Sequence, residues 1–228
     1  MKLILILLTL LLSLPCYAQN NDTFSINTKA KNIIHFKQLY APSVLIIAGI
    51  FSEINFRKSL DAELYKERNT DIPHFSTGVD NYLQYSPIIL AYGFDALGMT
   101  SKTDFINRSV ILFKSELIMS GTVSLLKYAI REQRPDKSAK NSVPSGHTAQ
   151  AFAAAAFLSE EFGKRYKWVP YLSYSLASTV GALRIMNNKH YLSDVLIGAG
   201  IGILSTKISY WSHQYKWGKR NKQFLPSL

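Results

Sequence analysis

Three stretches in the second half of the chain concentrate residues suited to handling phosphate. Lys127 and Arg134 stand seven apart with Pro135 behind them, Pro144-Ser145-Gly146-His147 follows, and Arg184, His190 and Asp194 complete the set. His190 and Asp194 are spaced i and i+4, so on a helix the carboxylate accepts the Nδ1 proton of the imidazole and leaves Nε2 basic. A histidine oriented in that way is fit to act as a nucleophile. A phosphoryl group in flight spreads negative charge over its equatorial oxygens, which calls for fixed cations and hydrogen-bond donors around it. Lys127, Arg134 and Arg184 are the candidate cations: a guanidinium grips two oxygens in a fork, whereas a lysine acts as a point charge.

The spacing of Lys127 and Arg134, about two helical turns, predicts that both lie on one face of a single helix which Pro135 stops. Ser145 and Gly146 precede an Ala-rich stretch, Ala153 to Ala156. At the start of a helix there, free backbone N–H groups and the positive end of the helix dipole face an anion, and Gly146 lets the backbone approach it. Singly, these features are explained as well by surface charges, an ordinary serine cap and an exposed histidine; their joint presence is what favours a site. His147 and His190 as metal ligands lack the cysteines and spaced carboxylates that would complete a shell, so neither a metal nor a cofactor is expected.

The order and internal spacing of these residues, from Lys127 to Asp194, resemble the tripartite signature of the phosphatidic-acid-phosphatase type 2 and vanadium-haloperoxidase superfamily. The resemblance implies roles. His190 attacks phosphorus and becomes phosphorylated, Asp194 orients it, and His147 protonates the leaving oxygen before serving as base for the hydrolytic water. Lys127, Arg134, Ser145, Gly146 and Arg184 are implied to bind the phosphate, with no metal. One departure is Leu183, where such sequences usually carry a serine before the arginine; a lost secondary hydrogen bond, and not a lost activity, is expected from it.

The elements that must position these residues read as an all-α helical bundle. Apolar segments recur at Val44 to Ile54, Ser86 to Leu97, Ser109 to Ile130, Thr148 to Phe162, Trp168 to Met186 and Ser193 to Trp211, without the alternation of strands. About six helices are expected, with starts at Ser86-Pro87, after Ser145, and at Trp168-Val169-Pro170. The 228 residues suit one domain. Residues 1–18 have the shape of a signal peptide, with Lys2, an apolar run from Leu3 to Leu14 and a cut after Ala18; residues 19–40 read as a polar arm, 41–213 as the catalytic domain and 214–228 as a basic tail. Cys16, the only cysteine, leaves with the signal, so no disulfide framework is available.

A net charge of +11 favours anionic partners. The expected substrate is a phosphorylated lipid or another phosphate ester, at the outer face of the cell envelope or in the periplasm, with membrane contact and no nucleic acid; oligomeric state is not legible. Membrane embedding stays open at this point. Only sixteen uncharged residues separate Lys167 from Arg184 and only twelve separate Asp194 from Lys207, both short of the roughly 20 that span a bilayer. Arg108, Lys114 and Glu116 fall in the third segment, where buried charge is costly. Alternatives from the same residues are a soluble broad-specificity acid phosphatase, a vanadium haloperoxidase, and a non-catalytic protein that binds anionic lipid.

Overall fold

A computed structural model describes residues 36–214, apart from the side chains of residues 55–59. The predicted signal peptide, the arm up to residue 35 and the tail from residue 215 lie outside the described residues. Eight α-helices and one π-helical segment make up the regular structure among them, with no strand. Helix α1 (Lys37–Phe51) continues through the π-helical Ser52–Asp61 into α2 (Ala62–Asp71); α3 (Val79–Leu83) and α4 (Ser86–Ala96) follow, then α5 (Phe105–Ile130), α6 (Gly146–Phe162), α7 (Val169–Met186) and α8 (Leu192–Trp211). The helix starts expected at Ser86-Pro87, Gly146 and Val169-Pro170 are found there. Two differences from the sequence reading stand out. Lys37 to Tyr40, read as part of a polar arm, already form the first turn of α1, and the polar stretch Ala62–Asp71 is helical although it carries no apolar stripe.

Helix α8 is the centre of the bundle. It packs on α1, α5 and α6, and α6 packs in turn on α7. Glycines set how near the backbones come. A Cβ on Gly202 would lie 2.2 Å from the carbonyl oxygen of Ala149, one on Gly198 would lie 2.6 Å from that of Ser145, and one on Gly200 would meet Pro42 and Ile46 of α1. The Ala-rich α6 is smooth enough to accept this approach, and Ala149 to Leu158 are buried almost without interruption. Two mid-bundle polar groups satisfy one another: Ser115 bonds Thr206, whose hydroxyl also reaches the carbonyl of Ala153.

Helices α5 and α6 run antiparallel, as do α7 and α8, so the C-terminal ends of α5 and α7 meet the N-terminal ends of α6 and α8 at one end of the bundle. That end holds every residue of the predicted site. The other end is closed by a separate polar cluster: Glu161 accepts from Thr103 and Tyr210, and Glu160 pairs with Lys102 and Lys207. Two of the three charges of α5 that weighed against membrane insertion, Arg108 and Glu116, are used internally. Arg108 is fully buried, pairs with Asp95 at 2.6 Å and lies over the rings of Tyr92 and Phe105, while Glu116 accepts from Gln150.

Helices α5 and α8 are each long and apolar enough to cross a membrane. Their surroundings differ. In the most apolar stretch of α8, 78% of residues are buried, against 22% for α5. Helix α5 touches the bundle along one narrow stripe, Asn107, Ile111, Ser115, Met119 and Val123, every fourth residue. Phe113, Leu117, Leu125 and Tyr128 on its other faces are more than half exposed, as are Val44 and Ile47 of α1.

Candidate active site

The site is built from the end of α8 upward. Asp194 sits in the first turn of α8, fully buried, and its Oδ2 is a hub: it accepts from the backbone N–H of Tyr191 at 2.9 Å, from the hydroxyl of Ser142, and lies 3.3 Å from Nδ1 of His190. This is the pairing read from the i, i+4 spacing, with one difference. His190 is outside the helix, in the short loop that precedes it, and is itself 2% exposed. With Nδ1 held by the carboxylate, Nε2 is the nitrogen available for chemistry. Burial, together with the charges of Arg184 and Lys127, lowers the pKa of His190 to about 4 against the opposing pull of Asp194, so the ring is neutral and Nε2 carries a lone pair at ordinary pH.

The three cations converge on this histidine, but not as the sequence predicted. Helix α5 ends at Ile130, and Arg131 takes the left-handed conformation at φ 51°. Arg134 is therefore in the loop between α5 and α6 and does not share a helix face with Lys127. A left-handed residue turns the chain out of the helix before Pro135 has any helix to stop. The loop then folds back, Arg134 N–H bonding the carbonyl of Ala139, and returns Arg134 to the cluster. Lys127 spans it from the side, donating to the carbonyls of Asn141 and Ser142. Arg134 has its pKa lowered by burial and then by the nearby charge of Arg184. Both arginines keep a buried Nε–H with no hydrogen-bond partner among the described residues. Two buried cationic donors without such partners, in the cluster that includes Lys127 and Asp194, make a place for an anion.

Ser145 caps α6 as expected, its Oγ bonding Thr148, and its backbone N–H donates to the carbonyl of Asp194, joining the second stretch to the third. A Cβ on Gly146 would touch only Val123 and the Cε of Lys127, at ordinary contact distances. Gly146 thus lies alongside Lys127, which joins the second stretch to the first. His147, one residue on, is half-buried.

Several site residues were not read from the sequence. Asp80 of α3, 1% exposed, pairs with Nη1 of Arg184 at 2.6 Å, and its neighbour Asn81 meets Nε2 of His147 at 2.8 Å. Asp136 pairs with Lys189 at 2.5 Å and also bonds Ser138; Lys189 and Ser138 together bring its pKa down to about 2, and the pair ties the α5–α6 loop to the loop carrying His190. Asp61 accepts from Leu192 N–H and Ser193 Oγ, anchoring the start of α8. Carboxylate oxygens of Glu53, Glu132 and Asp194 lie within 4.8 Å of one another, the one grouping among the described residues with spacing suited to a metal ion.

A carboxylate-held histidine beside buried cationic side chains, at one end of an all-helical bundle, is an arrangement suited to holding an anionic group. Residues 128–218 match the PAP2 superfamily. The chain is similar to a lipid A 1-phosphatase of Porphyromonas gingivalis, 32% identical over 251 aligned positions that take in 98% of this chain and 56% of that protein. It is also similar to a probable diacylglycerol pyrophosphate phosphatase of Schizosaccharomyces pombe, 26% identical over 168 positions, 55% of this chain and 60% of that one. The chain thus spans little more than half the length of these relatives. Its fold resembles that of the Aquifex aeolicus LpxE crystal structure, with TM-score 0.51 and 23% identity over 67% of this chain and 95% of that one.

Proposed function

We propose that the protein is a metal-independent phosphatase that hydrolyses a phosphate monoester or diphosphate of an envelope lipid through a phosphohistidine on His190. The observation that carries this reading is the neutral, buried His190, held at Nδ1 by Asp194, beside the unpartnered Nε–H groups of Arg134 and Arg184. Nε2 of His190 attacks phosphorus as the ester P–O bond breaks, and His147 gives a proton to the departing oxygen. Lys127, Arg134 and Arg184 hold the equatorial oxygens, where charge accumulates. Water, deprotonated by His147, then attacks phosphorus, the P–N bond breaks, and phosphate leaves with the neutral histidine restored.

That the substrate is a lipid is supported by the activities for which the two relatives are named and by the exposed apolar faces of α1 and α5, which suit a bilayer better than water. Tyr82, Tyr85 and Tyr128 are exposed at the site end, and Trp168 and Tyr171 at the other. Aromatic rings at both ends of an apolar bundle match the two interfaces of a membrane, which supports a site at headgroup level.

The test is phosphate release from p-nitrophenyl phosphate, phosphatidic acid, phosphatidylglycerophosphate, undecaprenyl diphosphate and lipid A, with His190→Ala as control and with a chelator present or absent. Release confined to lipids, lost in His190→Ala, accompanied by an acid-labile phosphoenzyme and unaffected by chelator is the expected result. Strong inhibition by chelator would move the chemistry to the Glu53, Glu132 and Asp194 group instead.

A further inference from the structure

Residues 72–83 form a strap held against the end of α7 and beside His147, and their docking is specific. Arg68 at the end of α2 gathers three carbonyls, Met186 at 2.9 Å through Nε, Pro73 at 3.2 Å and Phe75 at 3.1 Å, so it pins the strap to the end of α7. Asn187 then pairs with the backbone of Thr77 in both directions, its Oδ1 accepting at 2.9 Å and its Nδ2 donating at 3.0 Å. Asn187 also reaches Asp80, whose other oxygen holds Arg184. This is far more anchoring than a surface connection of this length requires. The strap is registered against the two residues, Arg184 and Asn187, that lead into the His190 loop.

What the register delivers is Asn81. Its Oδ1 lies 2.8 Å from Nε2 of His147, so in the arrangement that satisfies both groups the imidazole carries its proton on Nε2. Burial, and after it the charges of Arg184, Arg134 and Lys127, lower the pKa of His147 against the pull of Asp80, so an acceptor on Nε2–H favours the protonated ring. The amide oxygen of Asn81 accepts the Nε2–H, a role that a carboxylate oxygen at the same place can also fill.

We propose that Asn81 is a positioning residue that keeps the proton of His147 on Nε2 and aimed at the mouth, and that the strap 72–83 is the leaving-group wall of the site. His147 donates as the imidazolium, with a proton on each ring nitrogen: the departing oxygen enters beside Asn81 and takes the Nε2 proton as the P–O bond breaks, leaving a neutral ring with its proton on Nδ1 and a basic Nε2. This rests on the reading of His147 as proton donor. It assigns no contact with phosphorus to Asn81, so its loss affects leaving groups unequally. A nitrophenolate leaves as a stable anion and needs little help; an alkoxide does not leave without a proton.

The experiment measures kcat and KM of wild type, Asn81→Ala and Asn81→Asp on p-nitrophenyl phosphate and on an alkyl phosphate, both in the same detergent micelles. Asn81 is exposed, so the variants are expected to fold. In Asn81→Ala, kcat for the alkyl ester falls at least about tenfold and that for the nitrophenyl ester less than about twofold. Asn81→Asp, which keeps an acceptor for Nε2–H, recovers most of the alkyl rate. Equal losses on both esters, no loss on either, or an Asn81→Asp enzyme as slow as Asn81→Ala would overturn the proposal. A wild type that cleaves neither ester overturns it together with the phosphatase reading. Failure to cleave any natural lipid, with the split between the two probes intact, removes the lipid reading alone.

Discussion

At the scale of single residues, the balance at His190 decides the chemistry. Burial disfavours the imidazolium, Asp194 favours it, and burial wins, which leaves the folded pKa near 4 where the free side chain has 6.5. The sign for stability follows: the unfolded histidine takes up a proton as pH falls below about 6.5, the folded one does not, so acid favours unfolding, and the penalty grows until the folded ring protonates near 4. A ¹³C-histidine NMR titration, assigned with His190→Gln, is expected to show this ring neutral from pH 8 down to 5; titration at 6.5 or above would show that Asp194 outweighs burial. Arg184 poses a different question, because it serves Asp80 through Nη1 while its buried Nε–H has no partner among the described residues. A lysine cannot do both. Arg184→Lys is expected to lower kcat/KM at least about tenfold while the same His190 titration is unchanged, and a full-rate Arg184→Lys enzyme would remove the fork from the mechanism. Residues whose partners are near in sequence were legible: His190 and Asp194 announce themselves by a spacing of four. Asp80 and Asn81 did not, since their partners Arg184 and His147 lie 104 and 66 residues away, and no local pattern marks an aspartate that will meet an arginine across the fold.

At the scale of elements, the sequence placed the later helices well because apolar runs and their Pro or Ser starts are local signals. It lost Arg134 because the helix ends on Arg131, and an arginine at positive φ, a place where glycine is usual, is not foreseeable from residue type. It lost α2 for the opposite reason: the sequence AELYKERNTD buries only Leu64 and Arg68, too few positions to make a period. Helix spacing gives the sharper test here. The approach of α8 to α6 depends on Gly202, where a methyl group would sit 2.2 Å from Ala149 O and 2.8 Å from Ala153 N, both backbone atoms that cannot rotate away. Gly202→Ala is expected to cost roughly 1–3 kcal/mol or more, read as a lower midpoint of thermal unfolding in detergent. Gly93→Ala on α4, where nothing lies within 4 Å, is the control; it should change stability by no more than about 1 kcal/mol, and toward greater stability. Similar effects for the two would mean that α8 and α6 are not held by close backbone contact.

At the scale of the whole molecule, the question is what solvent faces α5. In water, a helix of 26 residues packed along a single stripe, with Phe113, Leu117 and Leu125 open to solvent, is a liability that soluble proteins avoid. In a bilayer the same faces are at home. The charges of the segment then need an internal answer, and each of the two closest to its buried stripe has one: Arg108 with Asp95, Glu116 with Gln150. The two environments give opposite predictions for one substitution. If Leu117 faces lipid near mid-helix, Leu117→Lys costs about 2.5–3.5 kcal/mol, with some relief where the long side chain snorkels to the interface. Folded protein recovered from the membrane fraction should then fall sharply, and thermal stability in liposomes should fall with it. If Leu117 faces water, the added charge leaves stability within about 0.5 kcal/mol and raises the yield of protein that stays in solution without detergent. Serine at the same position separates loss of packing from the cost of charge, since it removes the same side-chain contacts without placing an ion in hydrocarbon. A Leu117→Lys protein as stable as Leu117→Ser would place α5 in water and detach the site from the membrane surface.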